Sequence, residues 1–338
     1  MRIGIVGGGN ISETHARAAA SIPGLEVVAF QGDNRERTAR LAAQFGAAVY
    51  GDFEQFLNES SVDLIAIGSP SGRHAEPGIA AARRGVHVLV EKPIDVTTEK
   101  ADALIAAADD AGVKLGVFFQ DRLHPAVVEI KSLIERGQLG SPVIISGRVK
   151  WYRPPEYYGG SRWRGTWALD GGGALINQAI HTVDLVQWMF GPVARVYGTT
   201  ATRAHKIEVE DTAAAVLEFA SGAVGTLEAT TSAFPGYARR LEVTGTEGTV
   251  ILEHDRLERV DLRTGATSSK PPASDTNASA SSPVVADASA HRRVLEDFIR
   301  AIDTGGQPAC DGREARTSVA LVQAIYESAR SKRPIEPR

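Results

Sequence analysis

Apolar positions in the first 120 residues come in short unbroken runs separated by amphipathic stretches. Ile3, Ile5 and Val6 form the first run, Leu25 to Phe30 the second, and Val62 to Ile67, Val86 to Val90 and Lys114 to Phe119 follow. Runs of this length with little alternation predict strands buried on both faces. The stretches between them carry apolar residues at helical spacing. One starts at Asn10, with His15, Ala16 and Ala19 on its packing side; others cover Glu36 to Phe45, Glu76 to Arg84 and Thr98 to Ala111. Gly85 and Gly112 stand where the last two should stop, and Pro23-Gly24 makes a turn. Regular alternation of strand and helix predicts a parallel sheet with helices on both faces.

The rhythm changes after Gln120-Asp121-Arg122, which marks the exit from this domain. Pro125 to Arg136 reads as a helix stopping at Gly137, and Val143 to Tyr152 as a long strand. Leu175 to Trp188 reads as one helix. Val193 to Thr202, Thr212 to Phe219, Val224 to Ser232 and Arg239 to Thr244 read as strands, with Ser221-Gly222 as a hairpin turn. No helical pattern intervenes among them, so this second sheet is expected to be mostly antiparallel. Gly265 to Ser289, rich in Ser, Ala and Pro, reads as a long flexible surface excursion, and helices over Val294–Ile302 and Arg313–Ser331 close the chain. The expected class is α/β: a doubly wound parallel sheet over residues 1–121, then an α+β domain over 122–338.

Bulk composition narrows the function. The length of 338 residues suits two domains, and a net charge of −4 with no long basic run argues against nucleic acid as the main partner. Cys310 is the only cysteine, so no internal disulfide can form, and no paired Cys/His spacing suggests a metal site. No apolar stretch is long enough for a membrane span, and the chain enters its first strand with no room for a signal peptide. The expected location is the cytoplasm.

The candidate chemistry begins at Gly7-Gly8-Gly9, between the first strand and the first helix. Unpaired N–H groups at a helix N-terminus favour a pyrophosphate, and Gly7 and Gly9 let the backbone approach it. Asn10 and Ile11 follow, and Ser12 stands where a third glycine would complete G-x-G-x-x-G. A slightly wider strand–helix contact would accommodate it. The group that grips the adenosine ribose belongs at the end of the second strand. The spacing falls on Gly32, with Asp33 next and Arg35 and Arg37 beyond; an acid favours NAD, whereas glycine with a nearby arginine tolerates NADP. The plainer reading is a turn in which Asp33 and Asn34 cap the following helix. Ser69-Pro70 lies in a small-residue loop where a ligand would cross such a sheet. Glu91-Lys92-Pro93 ends a central strand; a partly desolvated lysine there could bind or deprotonate a hydroxyl, and Pro93 could be cis. Taken alone, those three residues read as a surface ion pair.

In the second domain, Tyr152, Tyr157, Tyr158, Trp163, Arg164 and Trp167 crowd one loop, which could floor a sugar site or pack on its own domain. On a helix, Asn177, His181, Asp184 and Trp188 would share a face, converging three polar groups just after Gly171-Gly172-Gly173. A core helix with a satisfied histidine is the alternative.

Together these motifs resemble the glucose–fructose oxidoreductase, inositol dehydrogenase and rhizopine-catabolism (Gfo/Idh/MocA) family over almost the whole chain. The matching pieces are Gly7-Gly8-Gly9-Asn10-Ile11, the Ser69-Pro70 loop with His74, Glu91-Lys92-Pro93, Gly171-Gly172-Gly173 leading to His181 and Asp184, and Asp311 to Arg316. The resemblance implies a Rossmann domain followed by a domain with an open, mainly antiparallel sheet. It implies NAD or NADP, held by Gly7, Gly9, Asn10, Ile11, Gly32, Asp33, Arg37, Ser69, Pro70, His74, Glu91, Lys92, Trp163 and Arg164. It also implies hydride transfer between a sugar-type secondary alcohol (sugar, nucleotide-sugar or cyclitol) and nicotinamide, with Lys92 and His181 catalytic. Lys92, Arg122, Tyr152, Arg164, Asn177 and His181 are the expected substrate contacts, and a homodimer or homotetramer joined through the sheet face is usual. Many members carry aspartate four residues before the histidine. Asn177 stands there in this chain and cannot take up a proton at neutral pH; Asn-Gln-Ala-Ile-His resembles the nucleotide-sugar and sugar 3-dehydrogenase branch. An NAD-dependent glycosidase that oxidises its sugar transiently, and a dinucleotide-sensing protein without turnover, are the rival classes.

Overall fold

A computed structural model of the chain describes residues 1–265, 267–268 and 287–338. They form two compact units. One holds Met1–Leu123 and the later segment up to Arg316; the other starts at His124 and takes in Thr317–Arg338.

In the first unit β1 (Arg2–Val6), α1 (Asn10–Ala20), β2 (Glu26–Gln31), α2 (Arg35–Ala43), β3 (Ala48–Tyr50), α3 (Phe53–Glu59), β4 (Leu64–Ile67), α4 (Ala75–Ala82), β5 (His87–Val90), α5 (Thr98–Ala111) and β6 (Leu115–Val117) alternate as expected. The strands pair in parallel in the order β3-β2-β1-β4-β5-β6. The order reverses between β1 and β4, so a crevice opens beyond their C-terminal ends. Gly112 ends α5 in the left-handed conformation (φ 65°), as its position predicts.

The second unit contains α6 (Pro125–Glu135), β7 (Pro142–Lys150), the short α7 (Pro155–Gly159), a π-helical stretch over Ala174–Ala179, and α8 (Ile180–Phe190). Strands β8 (Val193–Ala201), β9 (Thr212–Phe219), β10 (Val224–Thr230), β11 (Arg240–Gly245), β12 (Gly248–Glu253), β13 (Arg256–Leu262) and β14 (Thr267–Ser268) follow. The sheet order is β14-β13-β12-β11-β7-β10-β9-β8, antiparallel throughout except for the parallel pair β7–β10. α8 lies on the buried face, close enough that a Cβ on Gly147 would meet Thr182 and Val186. The opposite face leaves Ile144, Tyr197, Val216 and Val224 exposed.

The expected boundary at 121/122 needs correction at the C-terminal end. α9 (Ser289–Thr304) and the start of α10 (Gly312–Ser331) belong to the first unit, not the second. The reason is hydrophobic: Val294, Leu295 and Phe298 bury one face of α9 in the same core as Ile3, Ile5, Phe30 and Phe118. A Cβ on Gly116 of β6 would stand 2.7 Å from the Phe298 ring. Burying three such side chains contributes roughly 5–8 kcal/mol before entropy is counted.

The 265–289 excursion lies, apart from its ends, outside the described residues. Among the described residues no helix is long and apolar enough to cross a membrane.

Candidate active site

The dinucleotide loop is built as the sequence implies, with one compensation. Gly7 has φ 116°, and a Cβ there would sit 2.8 Å from the Gly68 carbonyl oxygen. Gly9, the N-cap of α1, makes no side-chain capping bond and has open space where a Cβ would be. Ser12 occupies the place of the third glycine. It fits because its neighbours are glycines: its Oγ lies 2.6 Å from a Cβ built on Gly7 and 3.1 Å from one built on Gly68. That hydroxyl is buried and has no hydrogen-bond partner among the described residues. An uncapped helix start, a glycine cradle and an orphaned hydroxyl together fit a pyrophosphate.

Beyond β2, Gly32 is buried and leaves no room for a side chain, its Cβ position being 2.6 Å from Thr38 Oγ1. Asn34, rather than Asp33, caps α2 by accepting from the Arg37 N–H at 3.0 Å. Asp33 is exposed and accepts from Arg73 at 3.1 Å, and Arg37 donates to Asn10 Oδ1 at 2.6 Å. The crevice end of β2 therefore presents one carboxylate and two guanidiniums.

Lys92 stands half-buried just past β5, and the Lys92–Pro93 peptide is cis. Its backbone is clamped on both sides. Glu91 Oε2 accepts from the Lys92 N–H at 3.1 Å, while Oε1 accepts from His15 Nε2 at 3.0 Å and His291 Nε2 at 3.2 Å. Burial alone would raise the Glu91 carboxyl; the bonds from the two histidines outweigh it and hold it well below the usual carboxylate range. Burial also lowers the pKa of His15, so it donates as a neutral ring. These three residues could in principle gather a metal ion, their candidate ligand atoms lying within 4.8 Å of one another. Yet each Nε2 is spent on the carboxylate, and neither Nδ1 has the acceptor that orients a metal-ligating histidine. The cluster is a hydrogen-bonded clamp.

The side chains of two residues expected at the cofactor are committed inside the unit. Glu91 turns its carboxylate into the core of the unit. His74 is buried too, with Nδ1 2.8 Å from the Pro93 carbonyl and Nε2 2.9 Å from the Ser69 carbonyl. Both residues shape the loops that carry Ser69, Pro70 and Lys92. Arg122, expected at the substrate, is also committed elsewhere: buried, it donates to the Ala309 carbonyl at 3.0 Å and to Glu314 at 2.7 Å.

In the second unit the expected helical face is interrupted at one residue: His181, Asp184 and Trp188 lie in α8, whereas Asn177 lies in the π-helical stretch ahead of it. The π turn over Ala174–Ala179 breaks the 3.6-residue register ahead of α8. Asn177 faces Asp170, Asp184 is buried against Ser318 at 3.2 Å, and Trp188 lies under the Lys131 ammonium at 5.1 Å. His181 falls in the first turn of α8.

The start of the π turn is held by a residue the motifs did not single out. Glu210 Oε2 accepts from Gly173 N–H, its backbone carbonyl from Ala174 N–H, and its Oε1 from Leu175 N–H and the Tyr326 hydroxyl, all at 2.9–3.0 Å. Three consecutive orphan donors of a helix start are thus satisfied by one glutamate. Gly173 is obligatory, because a Cβ there would lie 1.8 Å from the Glu210 carbonyl oxygen. Burial pushes the Glu210 carboxyl up to about 7. The only hint in the sequence is an acidic run, Glu208 to Asp211, before β9.

The aromatic loop stacks cations. The Arg164 guanidinium lies 4.3 Å from the Tyr157 ring centre and 5.4 Å from that of Trp163, and its Nε is buried without a hydrogen-bond acceptor among the described residues. Arg153 is buried beside Trp151 and Tyr157 and donates to Gln178 Oε1. Tyr152 packs edge-on against Phe234. Of the two stacked arginines of this loop, Arg164 has an unanswered donor among the described residues, which suits a ligand anion.

Comparison with known proteins identifies the family. Residues 1–119 match the family model described as oxidoreductase family, NAD-binding Rossmann fold, and residues 127–251 match the GFO/IDH/MocA C-terminal domain. The crystal structure of the WlbA dehydrogenase from Bordetella pertussis, in complex with NADH and UDP-GlcNAcA, superposes with a TM-score of 0.88 at 33% identity, covering 99% of this chain and 97% of that one. Inositol 2-dehydrogenase of Rhizobium meliloti is 27% identical over 99% of this chain and 98% of its own length. D-xylose 1-dehydrogenase (NADP(+)) 2 of Haloferax volcanii is 28% identical over 99% of each. With both halves matched and a relative one third identical along its whole length, the chain belongs to the Gfo/Idh/MocA oxidoreductase family.

Proposed function

We propose that the protein is an NAD(P)-dependent dehydrogenase that oxidises a secondary alcohol of a sugar bearing an anionic group, such as a uronate or a nucleotide-sugar. The observation that carries the cofactor assignment is the pair Gly7 and Gly68 around the orphaned Ser12 hydroxyl, with the open, uncapped helix start at Gly9 beside it. Ser69, Pro70, Asn10, Ile11 and Arg37 line the same end of the first unit's sheet. When bound, the dinucleotide supplies the hydride acceptor. The protein's own work is binding, orientation and proton transfer. Lys92 Nζ, entering the step as the neutral amine, takes the hydroxyl proton as the carbonyl forms, with His181 as the second proton-transfer group. Asn177 binds a neighbouring hydroxyl, and Arg164, with Trp163 beside it, binds an anionic group of substrate or cofactor.

The anionic class is supported by the unanswered Arg164 donor and by the likeness to a relative crystallised with UDP-GlcNAcA. The test is a panel of neutral sugars, cyclitols, uronates and UDP-sugars with NAD or NADP, followed by absorbance of the reduced nicotinamide. Steady accumulation supports a dehydrogenase. A burst without accumulation would point to the glycosidase cycle, and binding without reduction to a sensor.

Cofactor choice rests on Asp33. Replacing Asp33 by alanine removes the carboxylate that pairs with Arg73 beyond β2 and leaves Arg37 and Arg73. The ratio of kcat/KM with NAD to that with NADP is expected to shift toward NADP by about tenfold or more. A ratio unmoved by the substitution would mean that Asp33 does not contact the ribose.

Self-association through the exposed sheet face is supported by Ile144, Tyr197, Val216 and Val224, which place four large apolar side chains in water on one face. A cytoplasmic location is supported by the lone cysteine, which is buried.

A further inference from the structure

Asp170 is buried in the tight turn ahead of Gly171-Gly172-Gly173. Its Oδ2 accepts from the Gly165 N–H at 2.8 Å, and its Oδ1 accepts from Asn177 Nδ2. The bonds continue. Asn177 Oδ1 accepts from Gln178 Nε2 at 2.6 Å, and Gln178 Oε1 accepts from the Arg153 guanidinium at 2.7 and 3.1 Å. A guanidinium can only donate, so the Arg153 end fixes the direction of the whole chain. The Asn177 amide must turn its nitrogen to Asp170 and its oxygen to Gln178.

We infer that Asp170 supplies the carboxylate of the substrate-side site from a neighbouring turn and acts through Asn177 as a positioning residue that sets which hydroxyl pattern the amide binds. This inference rests on the dehydrogenase reading above. It explains why position 177 holds an amide. An aspartate at 177 would place two carboxylates within hydrogen-bonding distance, and one of them would have to keep a proton. With an amide at 177, positions 170 and 177 together can carry at most one negative charge. The ionisable groups around them are Arg153, Arg164, Tyr157, Tyr158 and Tyr326, with Glu210 behind Tyr326.

The test uses the full chain and three variants: Asp170→Asn, Asn177→Asp, and the double exchange. Two readouts are needed, kinetics with the best substrate of the panel and melting temperature against pH. Asp170→Asn is expected to raise KM by about tenfold or more while cofactor Kd stays unchanged. Asn177→Asp alone is expected to add an ionisation, near neutral pH, to the melting profile. The double exchange removes that ionisation and recovers part of the lost KM. Glu210 is present in every variant, so the wild-type profile is the baseline against which the ionisation of the pair is read. If Asp170→Asn lowers the melting temperature but leaves KM and kcat within twofold, Asp170 only caps its turn and the inference is overturned. It is also overturned if Asn177→Asp titrates like the wild type. A wild-type chain that reduces no nicotinamide with any sugar sinks the dehydrogenase reading and the positioning role with it. The melting profiles, which need no substrate, then still report whether the pair holds one charge.

Discussion

Lys92→Ala is expected to lower kcat by about 10²- to 10⁴-fold, the range that a positioned acid or base supplies, while cofactor Kd and melting temperature stay close to wild type. The expectation that folding survives comes from the turn. Glu91 holds the Lys92 backbone N–H and is itself held by His15 and His291, and the Pro93 carbonyl is held by His74. None of these bonds uses the lysine ammonium. Lys92→Arg should be as inactive as the alanine variant, because a guanidinium does not give up its proton at any working pH. Glu91→Gln is the contrasting variant: it weakens the clamp, so activity and melting temperature should fall together. Stopped-flow or steady-state turnover beside a cofactor titration separates the two cases. A Lys92→Ala enzyme that turns over at the wild-type rate would remove the lysine from the chemistry.

The same turn shows how much of the site could be read from the chain. Glu91-Lys92-Pro93 was visible as a motif at the end of an apolar run, but the direction of the glutamate was not. His291 lies 200 residues further on, and nothing in its surroundings names a partner. The assignment of α9 to the first unit was hidden for the same reason: Val294, Leu295 and Phe298 declare an apolar face without saying which core receives it. Most strands were legible as apolar runs, whereas β12 and β13 were not, although β12 begins at Gly248. Their connecting turn is His254-Asp255, and both residues take positive φ (51° and 54°) without a glycine to announce it. The π turn over Ala174–Ala179 likewise has no period of its own, so a regular helical pattern over Leu175 to Trp188 does not foretell the break between Asn177 and His181. Ser12 looked like a defect in the glycine motif; Gly68, at the end of another strand, supplies the missing room.

Glu210→Ala is expected to lower folding stability by about 3 kcal/mol or more, since Gly173 N–H, Leu175 N–H and the Tyr326 hydroxyl would lose their acceptor inside the second unit. Its pH dependence gives a sharper test. In the unfolded chain the carboxyl titrates near 4.5, and in the folded chain burial moves it up to about 7. Between these values the folded protein keeps a proton that the unfolded chain has lost. Stability from this group is therefore full below the unfolded value and declines as pH rises toward 7, by about 3 kcal/mol in all. Glu210→Gln cannot titrate. Its amide offers one oxygen and turns an NH₂ toward a backbone N–H, so it should be less stable than wild type at acid pH and lose less as pH rises. Denaturant midpoints for the two proteins, measured in parallel across this window, should converge; curves that stay parallel would mean that Glu210 ionises normally. The functional cost follows from the position of the bonds. Gly173 to Leu175 begin the segment that carries Asn177, so loosening them should raise the KM for substrate while the cofactor loop of the first unit binds as before.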